Sequence, residues 1–312
     1  MKVLVTGGAG FIGSHVCDAF LAQGHTVHAL DDLSSGRREN LDPRVKLTVA
    51  DIRSDAARAL IEAEKFEAMA HLAAQMDVRR SVADPRFDAL VNIVGLLNLL
   101  EACVAAGTRR VIFSSTGGAI YGEQDVFPAP ETHPTRPCSP YGTSKAAGEL
   151  YLGYYAAQHG LSTCALRYAN VYGPRQNPHG EAGVVAIFSE RLLDGRPCTI
   201  FGDGKQSRDF VFVKDVARAN ALALSSSFNG ALNVGTGVET DVNQLYAELA
   251  RAAGVAAPAE HAARKPGEQL RSVIDNARAR EVLGWTPEVA LEAGLRETVA
   301  FFRSAKSVRQ TA

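Results

Sequence analysis

Tyr141 and Lys145 lie four residues apart in the stretch Tyr141-Gly-Thr-Ser-Lys145. If this stretch is helical, both side chains lie on one face and can reach the same bound molecule. A phenol ionises near pH 10, so its use as a base at pH 7 costs about 4 kcal/mol, and a nearby ammonium lowers that cost. The spacing therefore predicts a pair that takes a proton from an alcohol while a hydride leaves the same carbon. The same spacing also fits an exposed tyrosine beside a solvated lysine.

A glycine-rich turn near the N-terminus favours the chemical interpretation. The apolar run 2–6 predicts a buried strand, and Gly7, Gly10 and Gly13 follow it before a helical pattern begins. Glycines in this position allow a tight turn and a close approach of the backbone to a pyrophosphate at the helix N-terminus. The turn therefore predicts a dinucleotide site.

Asp31 ends the second predicted strand and lies 18 residues after Gly13 (31 − 13). This is near the spacing of an acid that binds the ribose 2′-hydroxyl, and a carboxylate there disfavours the 2′-phosphate of NADP. Asp31 therefore favours NAD. Arg37 and Arg38 support the opposite interpretation, because an arginine in this loop can accept that phosphate.

Composition excludes several classes of protein. The 312 residues are 46% hydrophobic, which allows a sizeable core, and the net charge of −1 gives no general attraction to nucleic acid or membranes. The five cysteines show no metal-binding spacing, so we expect no metal site and a reduced, cytoplasmic protein. The chain begins on a strand, which argues against a signal peptide, and its apolar stretches look too short or too charged to span a bilayer.

Alternating strand and helix patterns predict an α/β fold with a doubly wound parallel sheet of the Rossmann type. The strands are predicted at 2–6, 26–30, 45–49, 68–72, 109–114 and 163–167. The helices are predicted near 12–23, 54–64, 86–106 and 142–159. The last two helices carry much apolar surface, which fits packing on the sheet or a dimer face.

The amino-acid composition of the chain also changes along its length. Residues 1–168 are predicted to form the dinucleotide-binding domain, and a segment near 207–224 is predicted to return to it. Beyond Asn170 the sequence is rich in glycine and proline loops, so 169–312 is predicted to be mainly a smaller, mixed domain that contacts the substrate.

Taken together with Ser114-Ser-Thr116, these motifs make the chain resemble the extended short-chain dehydrogenase/reductase family, in its NAD-dependent epimerase/dehydratase branch. Further likeness lies in the stretches His71-Leu-Ala-Ala-Gln75, Leu166-Arg-Tyr-Ala-Asn-Val-Tyr-Gly-Pro174 and Arg208-Asp-Phe-Val-Phe212. The likeness covers almost the whole chain and is strongest to the nucleotide-sugar 4-epimerases.

The resemblance implies epimerisation at C4 of a UDP-hexose through a transient 4-keto sugar, with NAD held throughout. Tyr141 is then the base that removes the O4 proton, Lys145 lowers the phenol pKa and holds the nicotinamide ribose, and Thr116 orients O4. Thr116 is preferred over Ser115 for the third role. The resemblance also implies a homodimer.

The resemblance assigns two sets of binding residues. The cofactor set is Gly7, Gly10, Phe11, Ile12, Gly13, Asp31, Asp51, Ile52, Leu72, Ala73, Ala74, Asn92, Tyr141, Lys145 and Tyr168. The substrate set is Thr116, Tyr141, Asn170, Phe201, Arg208, Lys265 and Arg271. Members of the family often carry Arg-x-Gly-Asp where this chain has Lys265-Pro-Gly-Glu268, and lysine lacks the bidentate fork of arginine, so Arg264 or Arg271 could replace that phosphate contact.

Three other interpretations stay open. A nucleotide-sugar dehydratase needs an acid after the threonine, where this chain has Gly117 and Gly118. An epimerase could act instead on UDP-glucuronate, with Arg175 or Lys265 near the carboxylate, or on a UDP-N-acetylhexosamine, with Ser272 leaving room. A non-catalytic NAD-binding regulator would not need Thr116, Tyr141 and Lys145.

Overall fold

The central feature of the computed structural model, which describes residues 1–179, 183–264 and 269–311, is a parallel sheet of seven strands. The strands of the chain are β1 Lys2–Thr6, β2 Thr26–Asp31, β3 Lys46–Val49, β4 Ala68–His71, β5 Arg110–Thr116, β6 Ser162–Tyr168, β7 Asn170–Tyr172, β8 Thr199–Phe201, β9 Ser207–Phe212, β10 Gly230–Val234, β11 Glu239–Asp241, β12 Glu260–Ala262 and β13 Arg271–Ser272. The large sheet has the order β10-β6-β5-β4-β1-β2-β3, and all its pairs are parallel. The Rossmann-type prediction is confirmed.

Helices cover both faces of this sheet, and further helices pack beside the small sheets of the second half. They are α1 Phe11–Ala22, α2 Asp55–Glu64, α3 Val78–Ala83, α4 Pro85–Ala89, α5 Gly95–Ala106, α6 Gly117–Ile120, α7 Pro140–His159, α8 Val184–Leu193, α9 Val213–Ser225, α10 Val242–Ala253, α11 Ala277–Leu283 and α12 Leu291–Thr311. The strand order changes direction between β1 and β4, and in such sheets ligands bind at this point, at the carboxyl ends of the strands.

Alternate residues along the strands of the large sheet pack into two separate hydrophobic cores, one on each face. Val3 and Val5 of β1 pack with Phe20 of α1 and with α9 on one face. Leu4 packs on the other face, with α2, α5 and α7. This division explains why β1 reads as one continuous apolar run, because a strand covered on both faces buries every side chain.

The segment predicted as one helix over 86–106 consists of α4, a π-helical turn Leu90–Val94 and α5. By length and composition the run Pro85–Ala106, with a mean hydropathy of 1.9, could cross a membrane, so the expectation about apolar stretches was wrong here. Leu96, Leu99 and Leu100 are fully buried against the sheet, as in a core helix.

The second half of the chain adds two small sheets. Strand β9 pairs with β7, β11 and β13, and β8 pairs with β12. Helices α8, α10 and α12 enclose a third core around Phe188, Leu245 and Leu295. Helix α9 and strand β10 lie on the large sheet, whereas β9, which precedes them, belongs to a small one.

Candidate active site

The turn between β1 and α1 is shaped by glycines that no larger residue can replace. Gly7 has φ of +67°, and a Cβ there would lie 2.7 Å from the Ala73 backbone nitrogen. A Cβ on Gly13 would lie 2.0 Å from the Gly7 carbonyl oxygen. Within the described residues, no side chain caps the start of α1 after Gly10. The first amides of α1 are therefore available to an anion.

Asp31 lies at the end of β2 beside this turn. Its carboxylate accepts hydrogen bonds from the amides of Ala9 (2.9 Å) and Leu33 (2.9 Å). Burial raises the pKa of Asp31, and the two amides act in the opposite direction. A Cβ on Gly36 would lie only 2.7 Å from Asp31 Oδ1, so the loop after β2 packs tightly against the Asp31 carboxylate.

A cavity of about 630 Å³ opens over the glycine turn and Asp31. It is lined by most of the predicted cofactor residues: Gly7, Gly10, Phe11, Ile12, Gly13, Asp31, Asp51, Ile52, Leu72, Ala73 and Ala74. An uncapped helix N-terminus for the pyrophosphate, a fixed acid for the ribose and a mostly apolar wall fit a dinucleotide.

The loop after β7 closes the cavity from above, which sequence reasoning missed. His15 Nε2 of α1 lies 3.0 Å from the Pro174 carbonyl, and Arg175 forms a 2.8 Å ion pair with Asp18. Burial lowers the pKa of His15 to about 4, so the neutral ring donates this bond. Residues 175–179 thereby join the lining. These contacts span more than 150 residues of sequence, and the sequence carries no local signal for them.

Four predicted cofactor residues lie outside this lining: Tyr141 and Lys145, which are described below, and Asn92 and Tyr168. The Asn92 side chain donates to the Gln75 carbonyl (2.9 Å) and accepts from the Gln75 amide (2.9 Å), so it fastens the loop behind the cavity wall. The Tyr168 side chain is 4% exposed in the core and accepts a 2.8 Å hydrogen bond from Asn220. The structure therefore places the Tyr168 ring among core residues, because the alternation along β6 turns it towards α9.

Helix α7 positions the predicted acid–base pair. Ser139 caps its start by accepting from the Gly142 amide (3.2 Å), Pro140 occupies the first turn, and Gly160 ends it in a left-handed conformation. Tyr141 therefore lies in the first turn and Lys145 one turn later. The Lys145 ammonium donates to the Ser114 carbonyl (2.8 Å) and lies 5.9 Å from the Tyr141 ring centroid. Because Ser114 lines the cavity, the pair lies at its edge.

The surroundings of the pair set its protonation. Burial lowers the pKa of Lys145 to about 8, against the charges of Asp88 and Glu149, which raise it. Lys145 is thus a cation at neutral pH. Burial raises the pKa of the Tyr141 phenol above its usual range, and the Asp88 charge adds to this. The protein alone therefore does not lower the phenol pKa as the sequence predicts, and a further positive charge is needed.

Thr116 and Asn170 face a common space at the carboxyl end of β5. A Cβ on Gly118 would lie 3.9 Å from Thr116 Oγ1 and 3.7 Å from Asn170 Oδ1, with nothing nearer. Thr116 Oγ1 also accepts from the Ala119 amide (3.2 Å), which fixes the hydroxyl at the end of β5. Ser115 points elsewhere and donates to Glu149 at 2.6 Å. The geometry thus favours Thr116 over Ser115.

The remaining predicted substrate residues lie on the small sheets. Arg208 of β9 is in register with Ser272 of β13. Arg271 is already engaged, because it pairs with Glu239 and stacks 3.8 Å from the Phe127 ring. Phe201 ends β8 and is partly buried. Lys265 lies outside the described residues.

These observations define an enzyme of the Rossmann-type, dinucleotide-binding class. The model of the NAD dependent epimerase/dehydratase family matches residues 3–235, and the chain belongs to this family. It is an isomerase whose cofactor is NAD.

Its relatives cover nearly the full length. The UDP-glucose 4-epimerase of Mycolicibacterium smegmatis is 50% identical over 97% of this chain and 99% of its own. The crystal structure of the Thermotoga maritima UDP-glucose 4-epimerase with UDP-glucose has a TM-score of 0.96 and 48% identity, and covers 98% of this chain and 100% of that one. The UDP-N-acetylglucosamine 4-epimerase of Methanobrevibacter ruminantium M1, in complex with UDP-N-acetylmuramic acid, has a TM-score of 0.93 and 37% identity, over 97% and 98%.

Proposed function

We propose that this chain interconverts the C4 epimers of a UDP-hexose, with UDP-glucose and UDP-galactose as the preferred pair. The observation that carries the proposal is the Tyr141 and Lys145 pair beside the cofactor cavity, with Thr116 and Asn170 bordering the adjoining space. The 50% identity to a UDP-glucose 4-epimerase supports the choice of sugar.

The chain's own residues supply the proton transfer. The Tyr141 phenolate takes the O4 proton of the sugar, and the phenol returns a proton to O4 after the keto sugar has presented its opposite face. Thr116 Oγ1 orients O4 by a hydrogen bond, and the Lys145 ammonium stabilises the phenolate by its charge. The glycine turn and Asp31 would hold NAD, which would supply the acceptor and donor of the C4 hydride.

The UDP end has to be held firmly while the keto sugar turns over. We assign Asn170 and Arg208 to the diphosphate, Phe201 to the uracil and Lys265 to a further phosphate contact. Arg271 is a weaker candidate than the sequence suggests, since Glu239 already neutralises its guanidinium.

A wider sugar pocket is the second candidate. Ser272 is a small residue, 3% exposed, and lies in register with Arg208. A relative that acts on UDP-N-acetylglucosamine supports this alternative. UDP-glucuronate would place its carboxylate near Arg175 or Lys265, but Arg175 is paired with Asp18.

Elimination of water has less support. A dehydratase of this kind needs an acidic side chain directly after Thr116. A Cβ on Gly117 would lie 2.7 Å from Ile274 Cδ1, so an acid does not fit at that position without repacking. At the neighbouring position 118 an acidic side chain would have room, but this chain has glycine there.

We also propose a cytoplasmic homodimer. Leu90 and Val94 beside α5, and Leu150, Tyr151 and Tyr154 on α7, are exposed apolar side chains. The residues of α7 lie at helical spacing, on the side away from the sheet. Such a continuous face is typical of a subunit interface.

The sugar assignment is tested with purified protein and UDP-glucose, UDP-glucuronate and UDP-N-acetylglucosamine in separate reactions, each followed by NMR for its C4 epimer. We expect UDP-galactose to form fastest. Turnover of the N-acetylated sugar alone would replace the preferred substrate, and no epimer from any of the three would refute the proposal.

A further inference from the structure

Asp88 on α4 is a fully buried acid next to the acid–base pair. Its carboxylate accepts three hydrogen bonds, from Ser144 Oγ (2.6 Å), Gln75 Nε2 (3.0 Å) and Asn92 Nδ2 (3.0 Å). The residue is 0% exposed, and all three donors are neutral groups. Its charge is thus stabilised by hydrogen bonds and retains its effect on neighbouring groups.

The three donors belong to three different parts of the site. Ser144 lies between Tyr141 and Lys145 on α7. Gln75 lies in the loop after β4 that lines the cofactor cavity. Asn92 lies in the π-helical turn and also binds the Gln75 backbone through both of its polar atoms. Asp88 therefore connects the catalytic helix to the wall of the cofactor cavity.

Asp88 also acts on both members of the pair through its charge. Of the two carboxylates that raise the pKa of Lys145 against burial, Asp88 has the larger effect, and its charge also adds to the raised pKa of Tyr141. It favours the ammonium of Lys145 and disfavours the phenolate of Tyr141.

Other charged groups near the pair differ from Asp88. Glu149 forms a 2.6 Å ion pair with Arg167 of β6, so its charge is compensated. Burial lowers the pKa of His71 on β4 to about 3, so His71 is neutral. The remaining charged groups on neighbouring helices are all exposed, unlike Asp88: they are Arg79 and Arg80 on α3, Arg86 on α4 and Glu101 on α5.

We propose that Asp88 is a positioning residue of the reaction: it ties the helix that carries Tyr141 and Lys145 to the cofactor loop and holds a carboxylate beside the pair. The inference deepens the proposed function and rests on it for the role of the pair. If Asp88 had a purely structural role, it would hold the helix in place without changing the pKa of the Tyr141 phenol.

The decisive experiment titrates the Tyr141 phenolate by ultraviolet absorbance in protein saturated with NAD, which requires no sugar substrate. In each background the signal of Tyr141 is the difference between the protein and its Tyr141→Phe derivative. In Asp88→Asn, which keeps the shape but removes the charge, we expect the titration to move to lower pH by about one unit. Asp55→Asn, an exposed acid on α2, serves as the matched control and should not move it.

Ser144→Ala separates the effect of the hydrogen bond between α7 and Asp88 from the effect of the Asp88 charge. It keeps the carboxylate, so the Tyr141 titration should stay in place, while kcat falls about tenfold and KM changes little because the helix loses its tether. Thermal unfolding and NAD content establish that each variant is folded. If Asp88→Asn does not fold, the Ser144→Ala kinetics decide.

An unmoved titration in folded Asp88→Asn, or wild-type kcat in Ser144→Ala, would overturn the proposal. Failure of the proposed function is recognised separately, because the titration responds to Asp88 even if no UDP-sugar is converted.

Discussion

The Tyr141 phenol has to lose and regain a proton in the proposed reaction, although burial raises its pKa. The nearby ammonium of Lys145 retains its charge at neutral pH, since its pKa lies near 8. Asp88 opposes ionisation of the phenol. The phenol therefore ionises readily only when a further positive charge is present, which the oxidised nicotinamide supplies when it is bound.

Replacing Tyr141 with phenylalanine removes the proton acceptor and keeps the ring. We expect kcat for C4 epimerisation to fall by a factor of about 10²–10⁴, with NAD still bound. A coupled assay for the product sugar measures this. Tyr154→Phe, which removes an exposed hydroxyl from the same helix, is the matched control and should retain full activity. Near-normal turnover by the Tyr141 variant would contradict the assignment of the base.

The glycine turn is the element on which cofactor binding depends most directly. Its backbone folds so closely that the Gly13 position has no room for a methyl group, since the carbonyl of Gly7 lies 2.0 Å from the Cβ position. By contrast, a Cβ on Gly153 in α7 would meet nothing within 4 Å. The two positions offer a matched pair of substitutions.

Gly13→Ala should weaken NAD binding at least about tenfold, because the turn must open and the first amides of α1 then no longer point at the pyrophosphate. Gly153→Ala should leave NAD binding unchanged and stabilise the protein by up to about 1 kcal/mol, since alanine favours the helix. Calorimetric titration of NAD-free protein and thermal unfolding provide the two readouts. Equal NAD affinity in both variants would show that the turn does not hold the cofactor.

Sequence patterns sufficed for elements whose signals are local. The predicted strands agree with β1 to β6 within one or two residues at each end, and the helices with α1, α2 and α7. The π-helical turn in 90–94 was missed because most residues from 90 to 100 are apolar, so the shift that it introduces in the helical period leaves no mark in the pattern. The glycine turn, Asp31 and the Tyr141–Lys145 spacing are also local signals.

Other parts of the site could not be predicted, because they depend on contacts between distant segments. The burial of Asp88 has no local signal in the sequence and follows from the packing of α4 on α7. The tie of Arg175 to Asp18 has no local signal either. Tyr168 packs in the core, and its position near the nicotinamide stays a prediction. The division of the chain at residue 168 stays a prediction.

The whole molecule should lose stability in mild acid, partly through His71. Unfolded His71 binds a proton near pH 6.5, whereas burial lowers the pKa of the folded residue to about 3. The stabilisation is therefore present above pH 6.5 and is lost as pH falls towards 3. Between pH 7 and 5 this amounts to about 2 kcal/mol.

We expect urea unfolding at constant NAD concentration to show a smaller loss of stability between pH 7 and 5 in His71→Asn than in the unmodified protein. His159→Gln, at an exposed position at the end of α7, is the control and should leave the loss unchanged. An identical pH dependence in all three proteins would argue against a neutral buried His71.

At the scale of the assembly, the exposed apolar face of α7 is the candidate interface. Leu150 is 78% exposed in the isolated chain, which is costly unless a partner covers it. We expect the unmodified protein to elute as the proposed dimer and Leu150→Glu as a monomer in size-exclusion chromatography with light scattering. Val126→Glu, at an exposed apolar residue away from this face, should remain dimeric. A monomeric unmodified protein would exclude this interface.

The most direct test of the whole account uses UDP-glucose carrying deuterium at C4. A hydrogen that leaves C4 and returns to it from the other face within one closed site is never exposed to water. The account predicts that NMR and mass spectrometry find UDP-galactose with the deuterium still at C4. Replacement of the deuterium by solvent hydrogen, or its appearance on released cofactor, would contradict it.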